Sequence, residues 1–407
     1  MGKTSHLECR ECNKHYPLER LYFCPECLGP LDVKYKYDKI KWTKSSLEDA
    51  ARNLWRYFDL LPIEDKSKVV NIEAGFTPLI KATRLGKVLG LKNLYIKNDT
   101  VNPTFSFKDR PAGVGISKAL EFGLKAVGCA STGNLAAATA AYAAKSGLRC
   151  YIFVPKGVEP EKIGHALIYY PTVIEVNGSY DTANRIAAQT AEAYDIGVVN
   201  INLRTYYVEG SKTLGFEIAE QLNWQTPDHI VTPVGSGAML HAISKGLGEL
   251  ERIGLLNSSK VKFTAAQGKG CAPIVDAFRK GSDFIEPVEH PNTLAKSLAI
   301  GEPGDGLYVL RKLRESGGYA EDVSDSEIVD GIKILAKTEG IFSEPAGGVV
   351  IGALKRLIDE GKVDSDETVV CLITGSGLKA TESLTPYLPQ PLSVEPELET
   401  VAQLVVR

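Results

Sequence analysis

The sequence lacks the features that mark membrane, secreted and nucleic-acid-binding proteins. No apolar run reaches the roughly 18 residues that a membrane-spanning helix needs. The first six residues are not followed by the apolar stretch of a secretory signal peptide. The formal net charge of −3 gives no electrostatic reason to expect a nucleic acid or an anionic membrane as partner. We therefore expect a cytoplasmic protein that binds neither.

Cysteine is scarce after the first thirty residues, and half of the 8 cysteines lie before that point. These four form two C-x-x-C pairs: Cys9, Cys12, Cys24 and Cys27. Two such pairs supply four thiolates for a structural, tetrahedral zinc site. Two disulfides are the alternative, which the missing signal peptide argues against. Since four sulfurs complete the shell, we interpret His6 and His15 as surface residues. Residues 1–40 carry similar numbers of acids and bases, which disfavours a nucleic-acid-binding ribbon.

The rest of the chain alternates between short apolar runs and helical patterns, which predicts an α/β fold with mostly parallel sheets. The strand candidates are Leu94–Lys97, Ala126–Ala130, Cys150–Val154, Val173–Val176, Val198–Ile201, Ile230–Val234, Val261–Ala266 and Val369–Ile373. The helix candidates are Leu135–Lys145, Ala183–Ala193, Glu209–Leu222, Leu240–Leu250, Ser326–Lys337 and Gly348–Ile358. We predict a zinc-ribbon-like segment at 1–38, a large lobe formed by 39–111 and 206–407, and a small lobe at 112–205. A small-molecule site is expected in the cleft between the lobes.

The stretch Asn102–Arg110 sets one lysine, Lys108, beside two phenylalanines at a predicted helix start. Ser106 is a candidate N-cap, which would place Lys108 in the first helical turn. The helix dipole and the neighbouring aromatic rings both disfavour an ammonium there. A lysine held neutral is a nucleophile that can form an imine. A solvated surface lysine fits these nine residues equally well.

Two further segments follow predicted strands and open predicted helices. Ser131-Thr132-Gly133-Asn134 could direct backbone N–H groups at an anion, although the same residues are ideal for a plain helix cap. The second segment is a glycine loop: Gly235, Ser236, Gly237, Ala238 and Met239. Its amides could hold a phosphate. It is neither a dinucleotide fingerprint, because Leu240 stands where glycine or alanine is needed, nor a P-loop, because the Lys-Ser/Thr is absent.

A fourth segment, Thr374-Gly375-Ser376-Gly377-Leu378-Lys379, ends a predicted buried strand, where a tight turn is the simpler interpretation. Taken together and in this order, the four segments resemble the threonine synthase family. That family is a branch of the pyridoxal-phosphate enzymes of fold type II, the two-lobe tryptophan-synthase-β fold. Similar ribbons precede the catalytic domain in some archaeal members. The resemblance extends over nearly the whole chain, including Ser343–Gly348, which we expect to line the site.

The resemblance implies roles for these residues. Lys108 would hold pyridoxal 5′-phosphate as an imine and then act as general base. Asn134 would bond the 3-oxygen of the cofactor, and Thr374 would meet its pyridine nitrogen. Gly235–Met239 would hold its phosphate, and Ser131 with Thr132 would take the substrate carboxylate. Four positions depart from the family pattern: Phe105 stands where glycine is common, Ser236 and Met239 where asparagines are common, and Tyr207 where arginine is common.

The activity implied by the resemblance is conversion of O-phospho-L-homoserine and water to L-threonine and phosphate by a homodimer. Because Tyr207 replaces an arginine, the distal phosphate needs another cation. The candidates are Lys97, Arg204 and Lys212. Cysteate synthase and serine/threonine dehydratase remain alternatives on the same fold, as does a non-catalytic binding protein.

Overall fold

The computed structural model describes residues 3–258 and 260–405. The outer limits of the predicted segments, residues 1 and 407, lie outside the described residues. The strands are β1 (Thr4–Cys9), β2 (His15–Tyr16), β3 (Leu31–Tyr35), β4 (Leu79–Lys81), β5 (Asn93–Asn98), β6 (Ala126–Ala130), β7 (Arg149–Pro155), β8 (Thr172–Val176), β9 (Gly197–Val198), β10 (His229–Pro233), β11 (Lys262–Gly268), β12 (Tyr319–Val323) and β13 (Thr368–Ile373).

The α-helices are α1 (Lys44–Glu48), α2 (Thr83–Leu89), α3 (Asp109–Glu121), α4 (Asn134–Ser146), α5 (Pro160–Leu167), α6 (Tyr180–Ala193), α7 (Arg204–Tyr207), α8 (Thr213–Gln221), α9 (Ala238–Arg252), α10 (Pro273–Arg279), α11 (Gly306–Ser316), α12 (Asp325–Glu339), α13 (Pro345–Asp359), α14 (Thr381–Leu384) and α15 (Leu398–Val405). Short 3-10 turns connect several of them. Among the described residues, none of these helices is long and apolar enough to cross a bilayer.

The strands form three sheets, and two of them build the α/β body. The largest has the order β12-β11-β10-β13-β5-β4 and is parallel except for the β4–β5 pair at its edge. A second sheet, β8-β7-β6-β9, is entirely parallel. Its strands lie within residues 112–205, although the division into lobes remains a prediction. The predicted α/β fold with mostly parallel sheets is confirmed.

The N-terminal sheet, β2-β1-β3, is antiparallel and carries the cysteine pairs. It shares one hydrophobic core with the large sheet, since Leu7, Val33 and Tyr35 belong to the same buried cluster as Ile230 of β10 and Phe263 of β11. The ribbon is therefore packed onto the α/β body.

Parallel strands buried on both faces explain the continuous apolar runs of the sequence. β6 and β10 are buried along their whole length. The carboxyl ends of parallel strands are where ligands bind in such folds. All four sequence segments described above lie at or beside such ends.

Three details of the predicted elements are wrong or incomplete. The strand predicted at Val198–Ile201 ends at Val198, because the chain turns there and Ile201 N–H bonds Val198 O at 3.0 Å. The predicted helix Glu209–Leu222 begins as a 3-10 turn, where a Cβ on Gly210 would lie 2.3 Å from Arg110 O. The edge strands β4 and β12 had no clear periodic signal.

Candidate active site

Lys108 lies at the N-cap position of α3 and is half-buried. The helix begins two residues later than predicted, so Lys108 is the cap itself and Ser106 is not. Instead, Ser106 Oγ accepts the backbone N–H of Lys108 at 3.3 Å. Burial lowers the pKa of the Lys108 ammonium to about 8; the nearby charge of Glu344 opposes that shift and the charge of Arg204 adds to it. Among the described residues, Lys108 Nζ makes no hydrogen bond or ion pair, so its lone pair is available for chemistry.

The two residues after Lys108 fix the loop that carries it. Asp109 accepts the backbone N–H of Thr104 at 2.7 Å and its hydroxyl at 2.8 Å. Arg110 is fully buried and bonds Asp99 at 2.7 Å and Glu217. The Asp-Arg part of the sequence segment therefore serves structure, and it holds Lys108 in place.

Lys97 belongs to the same buried network. Its ammonium lies 2.6 Å from Glu217 Oε2 and donates to Thr77 O at 2.6 Å and Gln221 Oε1 at 2.8 Å. With the side chain inaccessible to solvent, this charge is committed to Glu217 and not to a ligand. The geometry argues against Lys97 as a distal-phosphate ligand. Lys212 is likewise buried, in ion pairs with acidic residues of the body.

Phe105 occupies the left-handed region, with φ of 60°. That conformation explains why glycine is common at this position in the family that the sequence resembles. The loop is nevertheless fixed, because Ser376 N–H donates to Phe105 O at 3.0 Å and Phe107 N–H donates to Thr374 O at 2.8 Å. The lysine loop and the fourth sequence segment thus form one unit.

Glu344 is the residue on which two predicted cofactor contacts converge. Asn134 Nδ2 donates to Glu344 Oε2 at 3.0 Å, and the Thr374 side chain lies close enough to lower the pKa of the same carboxyl group. Burial raises the pKa of Glu344. Sequence analysis placed its segment beside the site but did not single it out. Asn134 and Thr374 lie 240 residues apart in sequence, so only the fold reveals that Glu344 joins them.

The glycine loop of residues 235–239 leads from β10 into the 15-residue helix α9. Gly237 takes the N-cap position with φ of 98°, and no side chain caps the helix. A Cβ on Gly237 would lie 2.6 Å from Val309 Cγ2, so this close approach requires glycine. The uncapped N–H groups and the helix dipole suit a phosphate group.

Ser131 and Thr132 are half-buried at the end of β6. Ser131 N–H donates to Phe153 O at 3.2 Å, and Ser131 Oγ accepts a hydrogen bond from Gly133 N–H at 3.3 Å. The loop therefore has the turned shape expected before α4. Its Thr132 side chain and the α4 N-terminus remain candidates for a substrate carboxylate.

Arg204, the first residue of α7, is the remaining candidate for the distal phosphate. It lies close enough to lower the pKa of Lys108. Its Nη2 bonds Asp305 Oδ2, and its side chain is 19% exposed. Tyr207, at the position where arginine is common, is buried, and its hydroxyl has no hydrogen-bond partner among the described residues. Of the three predicted cations, only Arg204 is placed beside Lys108 and open to a ligand.

The four N-terminal cysteines come together as one group. All four sulfur atoms lie within 4.8 Å of one another. Cys9 and Cys27 Sγ are 3.4 Å apart, and Cys12 and Cys24 Sγ are 3.7 Å apart. A tetrahedral zinc with Zn–S bonds of about 2.3 Å separates its sulfurs by about 3.8 Å. Four free thiols at this spacing could hold one zinc ion.

The site also fits pyridoxal phosphate. Three features lie at the carboxyl ends of the strands. They are an amine of lowered pKa, a glycine loop at a helix start, and two polar side chains beside a buried carboxyl group. Lys108, the loop 235–239, Asn134 and Thr374 are the residues that would hold it.

Comparison with known proteins gives the class and then the family. Residues 70–375 match the family model described as pyridoxal-phosphate dependent enzyme, so the chain belongs to the pyridoxal-phosphate-dependent enzymes. Threonine synthase of Methanocaldococcus jannaschii is 41% identical over 400 residues, with 98% of each chain covered. That of Methanosarcina acetivorans is 40% identical over 98% of each chain, and that of Synechocystis 38% over 85% and 88%. Within the class, the chain belongs to the threonine synthase family.

Solved structures share the fold at lower identity. Diaminopropionate ammonia lyase of Escherichia coli matches with a TM-score of 0.65 at 20% identity, covering 78% of this chain and 89% of that one. L-serine ammonia-lyase of Rhizomucor miehei matches with a TM-score of 0.64 at 22% identity, covering 77% and 98%. These likenesses support the fold alone.

Proposed function

We propose that the protein is a threonine synthase that converts O-phospho-L-homoserine and water to L-threonine and phosphate. The observation that carries the proposal is the agreement along 98% of the chain with proteins of that name. The arrangement of Lys108, Asn134 and Thr374 around Glu344 supports it.

Each part of the site has a task in this reaction. When bound, pyridoxal phosphate would supply the electron sink that allows the Cα–H bond of an amino acid, and then a Cβ–H bond, to break. The glycine loop binds its phosphate through backbone N–H groups. Asn134, which Glu344 holds, and Thr374 would contact its ring. The α4 N-terminus with Ser131 and Thr132 binds the substrate carboxylate, and Arg204 binds the distal phosphate.

Lys108 moves the protons. With its pKa lowered to about 8, Nζ is neutral in a useful fraction of molecules near neutral pH. It can take a proton from Cα, give that proton up, and then take one from Cβ of the substrate. Phosphate leaves from the γ-carbon, which takes up a proton; the hydroxyl of water adds at the β-carbon, and a proton returns to Cα. Thr374 offers a neutral hydroxyl and no carboxylate to a ring nitrogen, which favours elimination and replacement over transamination.

We extend the proposal to a structural zinc ion on the four cysteines and to a cytoplasmic homodimer. The sulfur spacing supports the zinc ion. The dimer follows from the resemblance alone, and sedimentation velocity would measure it.

The test is to incubate the purified, cofactor-loaded protein with three substrates and to measure phosphate, amino acid and 2-oxo acid. Phosphate plus threonine from O-phospho-L-homoserine supports the proposal. Phosphate only from O-phospho-L-serine with sulfite would mean a cysteate synthase. A 2-oxo acid from L-threonine would mean a dehydratase. Arg204→Ala should raise the KM for O-phospho-L-homoserine roughly tenfold or more, as loss of a charge-assisted phosphate contact does.

A further inference from the structure

The cysteine ribbon reaches the active site through one buried ion-pair chain. Arg10 lies inside the first C-x-x-C pair, and its Nη1 is 3.0 Å from Asp305 Oδ1. The other oxygen of Asp305 bonds Arg204 Nη2. The side chains of Arg10 and Asp305 are 7% and 1% exposed. A single buried carboxylate therefore joins a residue of the ribbon to the arginine beside Lys108.

Asp305 also touches the glycine loop. Its backbone N–H donates to Ser236 O at 2.9 Å, and a Cβ on Gly237 would lie 3.2 Å from Asp305 Cβ. Asp305 directly precedes α11, and Arg10 lies over the ring of Tyr308 in the first turn of that helix, 5.2 Å from its centroid. The residue thus stands at the junction of ribbon, glycine loop and Arg204.

Arg10 is held from its ribbon side as well. Its Nε and Nη2 bond Asp32 Oδ1 at 2.9 and 2.8 Å, and its backbone N–H donates to Pro30 O at 3.0 Å. Asp32 Oδ2 in turn lies 3.6 Å from Nε2 of His241 on α9, the helix that follows the glycine loop. The ribbon is therefore joined to both sides of that loop.

We propose that Asp305 is a positioning residue, anchored by Arg10 of the ribbon, that orients Arg204 to receive the distal phosphate of the substrate. Arg204 uses only Nη2 on Asp305, and no hydrogen bond from its Nε or Nη1 to a described residue is present. The Nε–H and Nη1–H groups are left to donate to phosphate oxygens. Arg10 supplies the second charge on Asp305, so the buried carboxylate stays paired when Arg204 also contacts a phosphate. The inference rests on the proposed function and gives the ribbon a part in phosphate recognition.

The ribbon offers a matched control next to Arg10. Glu11 pairs with Arg311 of α11 at 2.9 Å, on the surface, with side chains 35% and 48% exposed. It joins the same cysteine pair to the same helix but does not reach Arg204. Glu11→Gln should leave substrate affinity unchanged, whereas Arg10→Gln should not.

The experiment compares wild type, Asp305→Asn, Arg10→Gln, Arg10→Lys and Glu11→Gln, all loaded with cofactor. Two quantities are measured: KM and kcat for O-phospho-L-homoserine, and the Kd of inorganic phosphate by calorimetry. We expect Asp305→Asn and Arg10→Gln to raise KM and the phosphate Kd roughly tenfold with kcat within about threefold. Arg10→Lys should recover part of the loss, and cofactor affinity should stay at the wild-type value.

The outcomes separate this inference from the proposed function. If Arg10→Gln has the same KM and phosphate Kd as Glu11→Gln, the proposed role of the ribbon in phosphate recognition is wrong. If Asp305→Asn binds phosphate with the wild-type Kd, Asp305 does not position Arg204 for phosphate. If Asp305→Asn fails to fold, Arg10→Gln decides alone. If the wild type makes no threonine while both variants bind phosphate more weakly than the wild type, the proposed substrate is refuted and the positioning role stands.

Discussion

Asn134 Nδ2 donates a hydrogen bond to Glu344 Oε2 over 3.0 Å, joining the N-terminus of α4 to the N-terminus of α13. The helix α4 follows β6 of the four-stranded sheet, whereas α13 packs against β10, β12 and β13 of the six-stranded sheet. The contact therefore fixes the two halves of the site relative to each other, at the place where a cofactor ring would lie.

Glu344 also tunes the reactive lysine, which gives a pH-dependent prediction. Its negative charge raises the pKa of Lys108, against the larger lowering by burial. Glu344→Gln removes that charge, so the pKa of Lys108 should fall below about 8. In cofactor-free protein, the rate of cofactor uptake by the neutral amine should rise with pH, and its midpoint should shift to lower pH in the variant. Stopped-flow absorbance of cofactor binding, recorded from about pH 6 to about pH 10, measures this midpoint.

Glu382→Gln serves as the control, since it makes the same change on an exposed residue of α14. Its profile should superimpose on that of wild type. An unshifted midpoint in Glu344→Gln would mean that the carboxyl group carries no charge in the cofactor-free site.

How far sequence reasoning reached can be judged from these same residues. Short apolar runs located β6, β10 and β13 because both of their faces are buried, and the cysteine spacing located the ribbon. Asp305 follows a Gly-rich turn without strand or helix periodicity, and its partners are 295 and 101 residues away. Such a residue has no local signal. Lys97 was predicted as a phosphate ligand for a related reason. The sequence of a strand lysine does not reveal its buried ion-pair partner, which here is Glu217.

The buried network under the lysine loop predicts a large loss of stability. Glu217 pairs with Lys97 and Arg110, and all three side chains are inaccessible to solvent. Burial opposes ionisation of Glu217, but the Arg110 and Lys97 charges outweigh it and lower its pKa from 4.5 to about 2. Glu217→Gln leaves two buried cations short of a counter-charge and should cost about 3–5 kcal/mol of unfolding free energy. Urea denaturation followed by circular dichroism measures it.

The sign of the pH effect follows from the lowered pKa. Ionised Glu217 stabilises the wild-type fold above pH 4.5, and that contribution is lost as pH falls from 4.5 towards about 2. Glu217→Gln should lack this part of the acid-induced loss. The exposed pair Lys280–Glu286 provides the control, because Glu286→Gln should change stability by less than about 1 kcal/mol at any pH. Equal costs for the two variants would contradict the role of the buried network.

The four cysteines predict dependence on one metal ion. We expect wild type to carry one zinc ion and Cys27→Ser to lose it, whereas Cys150→Ser, outside the ribbon, should keep it. Because the ribbon shares a core with the large sheet, metal loss should also lower the thermal midpoint of the whole chain. Elemental analysis and calorimetry of both variants test this. Unchanged metal content in Cys27→Ser would mean that the thiols bind no zinc.

Phe105 predicts an order of stability among three side chains. At φ of 60°, a Cβ costs about 1–2 kcal/mol relative to a relaxed backbone, and glycine avoids that cost. Phenylalanine regains part of it, because its ring lies 5.9 Å from the ring of His165. Alanine keeps the strain and loses the ring contact. We therefore expect Phe105→Gly to be about 1 kcal/mol more stable than Phe105→Ala. Urea midpoints of the two variants give the answer, and alanine as the more stable of the two would show that the loop relaxes out of the left-handed region once the ring is gone.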